Sequence, residues 1–95
     1  MKNKNIISDP EAYRHLQRKI DEIFLRELYH LSADEMVPEA EIIKDLGADS
    51  LDCQMIGFQI EDLFEIEIED NDLEQLKTLA DVYEYVAKKV EESNS

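Results

Sequence analysis

Glycine and proline are scarce, with two of each in 95 residues. A sandwich or barrel needs more turn residues than that, so the chain should be helices joined by a few loops. Cysteine occurs once. One thiol forms no intramolecular disulfide, and nothing indicates an oxidising compartment. Long apolar runs are missing too. No stretch approaches the roughly 18 residues of a membrane span, and Met1-Lys2-Asn3-Lys4-Asn5 is followed only by Ile6-Ile7, too short for a signal peptide. Positive charge is the last shortage: 10 basic residues stand against 24 acidic ones, a net charge of −14. That sign opposes tracking a nucleic-acid backbone or docking on anionic lipid. What is present is an ordinary 43% of hydrophobic residues, enough for one small core. A soluble, acidic, cytoplasmic domain is the expectation.

The charge is unevenly placed. Residues 1–30 hold six basic and five acidic side chains, whereas residues 31–95 hold four and nineteen. Between Lys44 and Lys77 there is no lysine or arginine, only eleven carboxylates from Asp45 to Glu74. The alternatives are a solvated face kept for solubility and a surface that meets basic partners.

Apolar periodicity places the helices. Ser8-Asp9-Pro10-Glu11 offers an N-cap, a first-turn proline and a Glu at the box position. Tyr13, Leu16, Ile20, Ile23, Phe24, Leu28 and Leu31 then draw one stripe of about five turns. From Ser32 to Asp49 the pattern breaks into a long loop, expected to be pinned by Ile42, Ile43 and Leu46. A second helix should run from Asp49 or Ser50 to about Phe64. The alternation from Phe64 to Ile68 suggests a strand, but no second strand exists to pair with it, which makes it an extended loop. Asp70-Asn71-Asp72 should cap a short helix through Leu76. Thr78, with Asp81 at the box position, should cap a last helix bearing Leu79, Val82, Tyr83, Val86 and Val90. Residues 1–7 are expected to be a flexible extension, 8–92 the domain, and 93–95 a frayed tail. The fold class is all-α, with three main helices, one short helix and a long first loop.

The second helix has two apolar faces. Cys53, Ile56, Gly57, Ile60 and Phe64 share one and should pack inward. Leu51, Met55 and Phe58 share the other, edged by Gln54, Glu61, Asp62 and Glu65. Unless the long loop covers it, this strip is exposed with a carboxylate rim, the form of a docking site. Cys53, a lone thiol on the inner face, reads as a small core residue rather than a nucleophile.

Chemistry concentrates at one serine. Gly47 permits a turn, and Asp49 with Asp52 can cap the helix reciprocally; if Asp49 caps, Ser50 is released at a helix N-terminus as a residue open to modification, and the alternative is that Ser50 is an ordinary cap. That place suits a phosphate ester. It does not suit a catalytic nucleophile: the glycine–serine–glycine elbow is absent, and the two histidines, His15 and His30, are placed on the first helix, fifteen residues apart, with no third group to orient either. No catalytic residue and no metal site is expected. Asp70, Asp72, Glu74 and Asp81 only faintly echo a calcium loop, with Gln75 at the glycine position.

Asp45-Leu46-Gly47-Ala48-Asp49-Ser50-Leu51-Asp52 resembles the phosphopantetheine attachment motif of bacterial acyl carrier proteins, most closely the discrete fatty-acid type. The resemblance extends over about residues 12 to 90. It implies an up-down helical bundle in which Ser50 carries 4′-phosphopantetheine from coenzyme A. The arm's thiol would hold acyl groups as thioesters during fatty-acid biosynthesis. Implied partners are a phosphopantetheinyl transferase, acyltransferases, ketoacyl synthases and other enzymes with basic patches, served by a non-catalytic monomer. Asp49, Leu51, Asp52, Met55, Phe58, Glu61 and Asp62 would form the docking surface. Ile56, Ile60, Phe64 and Val82 would line an acyl cleft. Gln54-Met55 stands where fatty-acid-type members usually have Val-Glu, so a specialised acyl or polyketide-type pathway is the alternative. An acidic interaction or metal-buffering module is the alternative of another class.

Overall fold

A computed structural model describes residues 8–93. The elements are α1 (Pro10–Glu27), a 3-10 turn (Ala33–Glu35), α2 (Ser50–Phe64), α3 (Asp70–Gln75) and α4 (Leu79–Ser93). Among the described residues there is no strand, only one isolated antiparallel bridge between Glu41 and Thr78. The all-α class and its element order stand as expected. The expected extension at 1–7 lies outside the described residues, and α4 runs to Ser93, one residue into the stretch assigned to the tail.

Asp9, rather than Ser8, caps α1, accepting from the Glu11 and Ala12 amides at 3.2 and 3.3 Å. The helix also stops earlier than its stripe. Leu28 is the C-cap, and Leu31 reaches the core from the turn that follows. Leu16, Ile20, Ile23 and Phe24 bury the inner face, and α1 packs against both α2 and α4. Polar ties reinforce that packing. Gln59 of α2 donates to Glu27 Oε2 at 2.6 Å and accepts from Arg26 at 3.1 Å.

The long loop is ordered by its backbone. Ile42 donates to the Lys77 carbonyl at 2.9 Å, Leu79 to Ala40 at 3.1 Å, and Ala80 to Pro38 at 2.9 Å. These bonds lace the loop to the start of α4. Ala40, Ile42, Leu46 and Ala48 are buried beneath it. Ile43 is not: it is 65% exposed, which corrects its expected anchoring role. Residues 41–46 form turns, which aim Ile42 and Leu46 inward and leave Ile43 outside.

At the end of α2, Glu65 takes a left-handed conformation (φ 58°) and reverses the chain. The following segment is extended without a ladder, as its lack of a partner requires. The Ile68 amide donates to Glu61 Oε2 at 2.7 Å, which brings the segment back alongside α2. Glu69 occupies the cap position of α3 without a side-chain bond, so the Asp70-Asn71-Asp72 cap does not form. Thr78 and Asp81 do form the expected reciprocal box. The Asp81 amide donates to Thr78 Oγ1 at 3.2 Å, and the Thr78 amide to Asp81 Oδ2 at 3.1 Å.

Candidate functional site

The N-terminus of α2 is built by a pair of aspartates. Asp52 donates its amide to Asp49 Oδ1 at 2.8 Å, and Asp49 donates its own to Asp52 Oδ2 at 3.1 Å. Two otherwise unsatisfied amides are thereby bonded, and neither bond uses the serine between them. Ser50 is exposed and its hydroxyl makes no hydrogen bond within the described residues. The approach to this point is set by Gly47, whose φ of 78° suits glycine, and by His30, whose Nε2 lies 3.2 Å from the Leu46 carbonyl.

Beside Ser50 runs a groove of about 490 Å³. Its lining mixes polar side chains, among them Glu41, Gln54 and Lys77, with apolar ones, among them Ile42, Leu73 and Leu76. A flexible arm bearing amides and methyl groups fits that mixture. Ser50 is itself one of the residues lining the groove.

Behind the groove lies a small core cavity of about 30 Å³ between α2, α3 and α4. Its size is that of a water or two, well short of a ligand. Ile56, Ile60 and Val82 line it as expected, and Phe64 does not. The reversal at Glu65 and the Glu61–Ile68 bond place Ile68 there instead. Gly57 lines it from the face expected to pack inward, whereas Leu73 and Leu76 were not anticipated, because contacts between α2 and α3 leave no periodic trace. Cys53 is half-buried and borders both spaces. Its burial, with Asp52 and Asp49 nearby, holds the thiol above the usual cysteine range.

The outer face of α2 is open. Leu51, Met55 and Phe58 are 65%, 43% and 62% exposed. The long loop therefore packs elsewhere. Asp62 is exposed on the rim, whereas Glu61 is half-buried and spends one oxygen on Ile68. Asp49 and Asp52 serve as caps, the first exposed and the second half-buried. Among the described residues, no three His, Cys, Asp or Glu side chains gather into a cluster that could hold a metal. No described helix is long and apolar enough to cross a membrane.

Comparison with known proteins agrees with this geometry. The family described as "Phosphopantetheine attachment site" matches residues 18–86. An acyl carrier protein of Syntrophus aciditrophicus is 44% identical over 71 residues, which span 75% of this chain and 88% of that protein. Acyl carrier proteins of Bdellovibrio bacteriovorus and Syntrophobacter fumaroxidans are 42% and 38% identical over 71 and 73 residues. Those alignments span 75% and 77% of this chain, and 90% and 89% of the two relatives. A free serine hydroxyl at a capped helix start, a groove leading inward and these matches converge: the chain belongs to the acyl carrier protein family, whose prosthetic group is phosphopantetheine.

Proposed function

We propose that Ser50 is the attachment residue and that the chain carries acyl groups between separate enzymes without performing chemistry itself. The observation that carries this is the exposed Ser50 hydroxyl, left unbonded by the reciprocal Asp49 and Asp52 caps. On loading, Ser50 gives up its hydroxyl proton and forms a phosphodiester while coenzyme A releases its adenosine bisphosphate. The bound group supplies a terminal thiol on which an acyl chain is held as a thioester. The protein's part is to present the serine, to lay the groove beside it and to offer α2 to the next enzyme.

Incubation with a phosphopantetheinyl transferase, coenzyme A and Mg²⁺ should raise the intact mass by one prosthetic unit. Ser50→Ala should gain nothing. A wild type that stays unmodified, or an alanine variant that gains as much, overturns the assignment. Stoichiometric calcium binding by an unmodified chain would favour the acidic metal-buffering reading.

The rim charges suit enzymes with basic patches around an apolar hollow, such as acyltransferases and ketoacyl synthases, acting in the cytoplasm on a monomer. Fatty-acid biosynthesis is the reading that the motif supports. The exposed Met55, where a carboxylate is usual, favours a specialised pathway as the second reading. Met55→Glu should then slow acyl transfer by the cognate enzyme and speed it with a generic fatty-acid synthase enzyme. Unchanged rates with both would remove Met55 from partner choice.

A further inference from the structure

Gly57 is buried in the middle of α2, opposite Leu73 of α3. A Cβ at position 57 would stand 3.6 and 3.7 Å from the two Leu73 methyl carbons. These residues occupy a junction. Leu73 borders the core cavity, the groove beside Ser50, and a third hollow of about 260 Å³ flanked by Gln54, Phe58 and Glu61. Gly57 borders the core cavity and the third hollow. One leucine side chain is thus a wall common to all three spaces, and the missing side chain at 57 keeps that wall thin.

The wall also stands on a weak element. Helix α3 has six residues, none buried, and no side-chain cap at its start. Such segments open at a small fraction of the global stability. Moving Leu73 aside joins a cavity of about 30 Å³ to spaces of about 490 and 260 Å³. Gly57 lies seven residues after Ser50, about 10 Å along the helix axis, with Cys53 on the same face between them. A missing side chain widens a passage at one level rather than lengthening it. The cargo it suits is broad at that level.

Resting on the carrier reading above, we propose that Gly57 and Leu73 set the breadth of the acyl group this chain shelters, and that the cleft accepts branched or aromatic acyl groups as well as straight ones. Gly57→Ala places its Cβ at an ordinary contact distance from Leu73. Gly57→Val adds methyls about 1.5 Å farther out, into the space Leu73 occupies.

The test loads wild type, Gly57→Ala, Gly57→Val and Leu73→Ala from octanoyl- and phenylacetyl-coenzyme A, which are equal in carbon count. Intact mass confirms loading, and the melting temperature of each acyl form is compared with that of its own acyl-free holo form. Both groups should stabilise the wild type. Gly57→Val should abolish the phenylacetyl increment and keep most of the octanoyl one, Gly57→Ala should fall between, and Leu73→Ala should keep both. A Gly57→Val increment for phenylacetyl equal to that of the wild type overturns the proposal, as does a wild type that phenylacetyl does not stabilise. If Gly57→Val does not fold, Gly57→Ala decides, since an undiminished phenylacetyl increment there has the same force. Failure of Ser50 to load at all sinks the carrier reading and this one together. Loading without any effect at Gly57 sinks this one alone.

Discussion

The Tyr83 hydroxyl donates to Asp21 Oδ1 at 2.5 Å and ties α4 to α1 across the core. The Tyr83 ring meets Tyr13 edge-on, with centroids 6.5 Å apart. Burial raises the Asp21 carboxyl, and the tyrosine bond lowers it part of the way back. Burial and the Asp21 bond together raise the Tyr83 hydroxyl, which stays protonated and donating.

Tyr83→Phe should therefore cost about 1 kcal/mol at neutral pH, because a half-buried carboxylate loses its donor. The sign of the pH dependence follows from Asp21. Its folded value lies above its unfolded one, so ionisation opposes folding, and stability falls as pH rises through the folded value. Removing the hydroxyl raises that value further. The deficit of Tyr83→Phe should be smallest below about pH 4, the ordinary aspartate range, and grow above it. Urea unfolding of both proteins across that range checks this; a constant deficit would mean that the two groups are not coupled.

Asp81 behaves in the opposite sense. The Thr78 and Lys77 amides bond its carboxylate and hold it below the usual range. A lowered folded value adds stability that is complete above the unfolded value and lost as pH falls through the folded one. Asp81→Ala should cost about 1 kcal/mol at pH 7, the usual worth of a cap. The gap between the two proteins should close on acidification below about pH 4. A gap that persists there would assign the loss to packing instead.

Two left-handed positions should respond oppositely to substitution. Gly47 has φ 78°, and a Cβ there would lie 3.5 Å from His30 Nε2, so strain rather than crowding is the obstacle. Gly47→Ala should destabilise by about 1 kcal/mol. Glu65, at φ 58°, already bears that strain. Glu65→Gly should be neutral or stabilise by about 0.5 kcal/mol once the glycine's greater unfolded entropy is counted. Thermal melts of the two variants decide it, and a stabilising Gly47→Ala would show that the turn relaxes.

Carboxylates of the lysine-free interval bond backbone amides and a hydroxyl. Asp45 accepts from Glu41, Glu61 from Ile68, and Asp72 from Tyr85. Their mutual repulsion is screened by solvent ions, over about 8 Å at physiological ionic strength. The melting temperature should rise as sodium chloride is added from low ionic strength. A flat response would show that the repulsion is already compensated.

Much of this was local and therefore legible. The Thr78–Asp81 and Asp49–Asp52 caps are three-residue spacings, and each formed where its spacing put it. The buried faces of α1 and α4 followed from a period of 3.6, because a helix fixes which side chains share a side before anything packs on it. The exposed Ser50 followed likewise, from a cap that another residue could fill.

The failures share a cause. Ile43 and Ile42 are neighbours of one type, and only the loop's hydrogen bonds, from Ile42 to Lys77 and to Ala40 and Pro38 from Leu79 and Ala80, decide which is buried. Phe64 gave up its place on the cavity wall to Ile68 because Glu65 turned left-handed and Glu61 caught the returning amide. The junction at Gly57 and Leu73 joins residues sixteen apart that share no periodicity. Periodicity and capping act within a few residues along the chain and were settled by the sequence itself, whereas loop lacing and contact between α2 and α3 depend on bonds closed across long separations, which only the assembled bundle supplies.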